Sequence, residues 1–137
     1  MNSEDKSYRL ITWLLRIIAA SICSSFFTIF LPLSWMNATH RFLGLGRTPT
    51  EPIFEYLTRS LSAMYFAHGF MVFLVSTDVR RYWPMVKWLG VMNLFLGAIL
   101  FGTDCRAPMP LYWTCLEGPP IIVVGSLLLW LSRRVGE

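Results

Sequence analysis

Charge is scarce in this sequence. Asp, Glu, Lys and Arg together make up 15% of its 137 residues, against 55% hydrophobic ones. That balance is far more apolar than a soluble domain of this length needs. Histidine is nearly missing, and His40 and His68 fall in separate segments, so no metal site is expected. The three cysteines make no C-x-x-C pair. A Gly-rich phosphate loop, a nucleophile elbow and an H-E-x-x-H zinc signature are all lacking. So are low-complexity tracts, internal repeats and any basic module of a nucleic-acid reader. These gaps point away from nucleic acid, metal and cofactor chemistry, and no cofactor is implied.

What the chain does have is long apolar runs. Four stretch over roughly residues 10–31, 53–76, 84–103 and 111–132, each near the ~20 residues that span a hydrocarbon core. They use most of the chain, which predicts one domain: an all-α integral membrane protein built as an antiparallel four-helix bundle. Lys6 and Arg9 precede the first run as they would in a signal peptide, but the run is too long for one and reads as a retained helix. Lys and Arg concentrate at the N-terminus, the middle connector and the C-terminus (Lys6, Arg9, Arg80, Arg81, Lys87, Arg133, Arg134). Both termini are therefore expected in the cytoplasm. The formal charge of +4 then suits anionic lipid headgroups, which makes membrane lipids the expected partners. Arg16, about two turns into the first run, can snorkel to those headgroups or pair inside the bundle.

The second run alone carries several ionisable groups at membrane depth. Glu55, Arg59, Ser62, Tyr65, Gly69 and Ser76 fall within about a 120° arc of a helical wheel, so one face is polar or small. Charges at such depth face a bundle interior or a wet cavity. Glu55 and Arg59 stand at i, i+4, where carboxylate and guanidinium meet on one face. They can neutralise each other and hold helices together, or face a ligand. His68 lies at the edge of the stripe towards the opposite leaflet, where it and Tyr65 are candidates for proton transfer or helix packing.

Pro32 ends or kinks the first helix. The apolar and aromatic residues from Trp35 to Gly44 predict a short interfacial helix in the first outer loop. In the third run Gly90, Asn93, Gly97, Phe101 and Asp104 share about an 80° arc. That face is expected to meet the stripe of the second helix, with Asn93 hydrogen-bonding across helices. Glu117, Gly118, Pro119 and Pro120 predict that the fourth helix is kinked or broken, because the prolines remove helical hydrogen bonds. A carboxylate there is expected to be protonated or paired with Arg59 or Arg106.

Glu55, Arg59, Asp104, Trp113 and Glu117 are accordingly the candidate ligand-binding residues. Carboxylates with arginines can do acid–base work or bind a polar headgroup, and they can equally form a satisfied structural network. Cys105 and Cys115 bracket an outer segment in which a disulfide is allowed in an oxidising compartment.

The overall layout, the arginine early in the first helix, and Arg59, Ser60, Leu61, Ser62, Ala63 leading to Tyr65 and Gly69 resemble the small bacterial DoxX-like four-helix membrane proteins. The resemblance implies a bacterial inner-membrane location. The quinone-linked disulfide-forming proteins share the layout too, but the missing C-x-x-C separates this chain from them.

Two functional readings follow. In one, an outward-facing polar pocket between the second, third and fourth helices holds a small amphipathic ligand, a lipid or a quinone. In the other, the chain is a non-catalytic subunit or scaffold, as a homo-oligomer or within a larger membrane complex, whose buried charges fix packing and partner contacts. An enzyme acting on a lipid ranks third, and a pore within one chain is disfavoured by so few short helices.

Overall fold

The computed structural model describes residues 3–107 and 109–134, and among these every regular element is helical. Seven helices follow in order: α1 Ser3–Cys23, α2 Ser25–Phe30, α3 Leu33–Phe42, α4 Pro52–Thr77, α5 Trp83–Arg106, α6 Leu111–Leu116 and α7 Gly118–Arg134. Four stretches are long and apolar enough to cross a membrane: Glu4–Phe30, Pro52–Thr77, Trp83–Arg106 and Leu111–Arg134, with mean hydropathy from 1.3 to 1.8. A helix satisfies its own backbone polar groups, and an apolar chain of this kind has little else with which to satisfy them.

The contacts divide the chain into two compact units. Leu15–Leu74 forms one, and Met1–Leu14 with Val75–Glu137 forms the other.

In the unit formed by Leu15–Leu74, the first apolar run is interrupted at Ser24, whose hydroxyl donates to the Ser21 carbonyl at 2.6 Å. It ends at Leu31, where the backbone becomes extended (ψ 132°) ahead of Pro32. The pairing with α4 runs antiparallel: Cys23 lies against Gly69, the Ser25 hydroxyl donates to the Ser62 carbonyl, Phe26 packs on Phe66, and Arg59 reaches Ile29 and Leu31. A Cβ on Gly69 would lie 2.9 Å from Cys23 Sγ and 3.0 Å from its backbone nitrogen, so the glycine is what lets the backbones approach. A short helix, α3, does follow Pro32. It ends as Gly44 takes φ 68°, with the Leu45 amide donating to His40 O and the Gly44 amide to Arg41 O. Glycine is the residue that enters this left-handed conformation without steric cost.

In the other unit, α5 and α7 pair closely. The order of contacts is antiparallel: Phe101 and Gly97 meet Gly118, while Gly90 meets Gly125 and Leu129. The glycines of each helix are seven residues apart, about two turns, so both fall on one stripe. An added Cβ would lie 2.8 Å from the Gly90 oxygen at Gly125, and 2.9 Å from the Gly97 oxygen at Gly118. Backbone touches backbone, a contact that larger side chains forbid. This corrects the expected partner of the α5 glycine face: it meets the fourth apolar helix. Asn93 likewise bonds within its own helix, Nδ2 donating to Leu89 O at 2.7 Å.

The fourth apolar run is broken, as its prolines demand. α6 stops at Leu116, Glu117 takes φ −95° and ψ −74°, and α7 restarts at Gly118. In the connector after α4, Asp78 Oδ1 accepts the Arg81 amide at 3.0 Å, a local turn bond that Asp makes readily. Arg80 pairs with Asp5 at 2.7 Å and lies over the Tyr8 ring, and Tyr8 packs on Trp83. These contacts tie the start of α1 to the connector.

Candidate functional site

The candidate ligand-binding residues divide between the units. Glu55 and Arg59 belong to Leu15–Leu74, whereas Asp104, Trp113 and Glu117 belong to the other.

Arg59 has the fullest set of contacts. Its Nε donates to Glu55 Oε1 at 2.9 Å, and Nη2 lies 2.8 Å from the same oxygen. Nη1 donates to the carbonyl of Ile29, and Nη2 to that of Leu31 at 3.3 Å. The cause of these last two bonds is local. The final carbonyls of any helix lack intrahelical donors, and the chain after α2 turns extended into Pro32, which has no N–H. Arg59 supplies the missing donors, and a cation at a helix C-terminus also opposes the negative end of the macrodipole. Glu55 balances the charge. Both side chains are partly exposed, 32% for Arg59 and 40% for Glu55.

Beside this junction lies a cleft of about 320 Å³, lined by Leu33, Ser34, Asn37, Glu51 and Glu55 among others. The loop that walls it is pinned by the Thr48 amide donating to Asn37 Oδ1 at 3.3 Å. Both Arg59 contacts use Oε1 of Glu55, and Glu55 is the ionisable stripe residue that borders the cleft. The cleft thus lies between α4, α3 and the loop that joins them. Its volume falls at the lower end of the range for small-molecule sites.

Tyr65 and His68 are exposed on α4. Tyr65 borders a shallow groove with Ser21, Ser25 and Thr28. Ser62, Gly69 and Ser76, from the same stripe, are buried. The polar face is therefore a packing face over much of its length. Arg16 is exposed.

In the other unit, Trp113 Nε1 donates to Glu117 Oε2 at 2.5 Å, one turn along the chain. This indole bond links α6 to its own C-cap residue, Glu117, at the point where the helix breaks. Asp104 is 7% exposed, and its Oδ2 is buried without a hydrogen-bond partner among the described residues. An unmatched buried acceptor costs about 1–3 kcal/mol, so Asp104 has unused capacity to accept a hydrogen bond. Cys105 and Cys115 are exposed free thiols, and Cys23 is free as well. No group of three or more His, Cys, Asp or Glu that could hold a metal occurs among the described residues.

Sequence reasoning missed Gly118 and Gly125 as partners of Gly90 and Gly97. The signal was present in the repeated seven-residue spacing, hidden on one side by the adjacent prolines. The carbonyl partners of Arg59 had no comparable signal.

Compared with known protein families, curated proteins and solved structures, the chain matches none.

Proposed function

We propose that this chain is a multi-pass membrane protein acting as a non-catalytic subunit or scaffold, in which the paired charges of Glu55 and Arg59 fix helix packing. The observation that carries this reading is the engagement of Arg59 by Glu55 and by the carbonyls of Ile29 and Leu31. A guanidinium committed to a helix end does structural work, and membrane charges are retained where such partners exist. Membrane insertion is supported by the four apolar helices and by the large apolar side chains they turn outward, such as Phe27, Phe30 and Met64. Surfaces of this kind suit lipid or protein neighbours. The Lys and Arg distribution supports cytoplasmic termini, and the resemblance to DoxX-like proteins supports a bacterial inner membrane.

A second reading, binding of a small amphipathic molecule, is favoured by one feature: Glu55 borders the 320 Å³ cleft beside the loop that joins α3 and α4. Native mass spectrometry of the full chain in mild detergent separates the two. The scaffold reading expects polypeptide assemblies, of itself or with other chains, that carry no small molecule dependent on Glu55. A bound quinone or lipid that is retained by wild type and lost from Glu55→Gln would replace it with the ligand reading.

A further inference from the structure

Where α1 begins and α7 ends, a cleft of about 690 Å³ opens within one unit, lined by Glu4, Lys6, Ser7, Leu10, Trp130, Leu131 and Arg134. Its lining divides by chemistry. Lys6 and Arg134 supply two cations and Glu4 one carboxylate, while Leu10, Leu131 and Trp130 form an apolar wall. The Arg134 guanidinium lies 3.9 Å from the centroid of the Trp130 ring, a cation–π contact between two residues of the lining. A second, shallower cleft of about 390 Å³ shares Lys6 and Leu10 and adds Arg9 and Trp13. The combination of basic, tryptophan and leucine side chains thus occurs on both sides of the Lys6–Leu10 edge.

We propose that this cleft is a binding site for the headgroup of an anionic phospholipid, with Lys6 and Arg134 on the phosphate and the upper acyl chain against Leu10, Trp130 and Leu131. The position is what selects a lipid over a free anion. The lining residues lie at the ends of two membrane-length helices, Glu4–Phe30 and Leu111–Arg134, where charged headgroups meet apolar side chains. The excess of cation over carboxylate favours an anionic headgroup. Guanidinium forks match phosphate oxygens, and the lysine adds a mobile charge beside them. Glu4 accepts a hydrogen bond from a headgroup hydroxyl, which phosphatidylglycerol has and phosphatidylcholine lacks. This inference rests on the membrane reading above and names a lipid for one face of it.

The test is native mass spectrometry of the full chain released from nanodiscs of phosphatidylcholine with phosphatidylglycerol, preceded by membrane flotation. Wild type is expected to retain phosphatidylglycerol over phosphatidylcholine. The double variant Lys6→Gln/Arg134→Gln is expected to lose that preference by about ten- to thirtyfold. Arg41→Gln/Arg47→Gln removes the same charge at exposed positions outside the cleft and is expected to retain it. Lys6→Arg/Arg134→Lys preserves the charge and is expected to restore most of the preference, which guards against a folding defect in the glutamine variant. Equal loss in both glutamine variants would reduce the effect to general electrostatics and overturn the site. Displacement of the lipid by soluble glycerol phosphate would make it a phosphate site instead. A chain that fails to float with membranes would defeat the membrane reading itself, whereas one that floats but shows no lipid preference would defeat the cleft alone.

Discussion

The α5–α7 pair and the α2–α4 junction hold apolar helices together by opposite means. In the first, four glycines bring backbone against backbone with no charge at the contact. In the second, an arginine bridges a helix end and a carboxylate. The difference lies in what each place must solve. Continuous helices have satisfied backbones and gain from the close packing that small residues allow. A helix that stops beside Pro32 leaves carbonyls without donors, and in an apolar setting each unmatched group is expensive. Charge is used where backbone hydrogen bonding fails, and small residues where it does not.

Substitutions that exchange the two devices sharpen this contrast. The largest effect is expected at Gly125, where a Cβ would sit 2.8 Å from both the Gly90 oxygen and the Leu94 nitrogen. Neither backbone atom can swing aside, so Gly125→Ala should cost about 3 kcal/mol and Gly125→Val should prevent the pair from forming, read by thermal unfolding in detergent. Arg59→Ala comes next, at about 2 kcal/mol, because it strips charged donors from partly buried carbonyls. Gly90→Ala should cost about 1 kcal/mol or less. There the nearest atoms belong to the movable Leu129 side chain, with the Gly125 oxygen at 3.4 Å. Gly102 has nothing within 4 Å of an added Cβ. Gly102→Ala should be neutral or stabilise α5 by up to about 1 kcal/mol through helix propensity. A uniform cost across the three glycines would break the comparison.

The four apolar helices were legible because hydropathy over ~20 residues is a strong signal. The breaks at Pro32 and at Glu117–Pro120 were legible because proline acts locally. The Glu55–Arg59 pair could be read from its i, i+4 spacing. Partner choice was not legible. Periodicity showed that Gly90, Asn93 and Gly97 share a face, but a helical wheel does not say which helix that face meets. Asn93 turned back on its own helix because the Leu89 carbonyl was within reach. The carbonyls held by Arg59 depend on where a distant helix ends, which neither segment states alone.

The most direct measurement is a double-mutant cycle on thermal unfolding with Arg59→Ala, Glu55→Gln and the two combined. If Arg59 serves chiefly to cap the end of α2, Arg59→Ala should destabilise far more than Glu55→Gln, and the double variant should match Arg59→Ala. A wild-type unfolding temperature for Arg59→Ala would contradict the account.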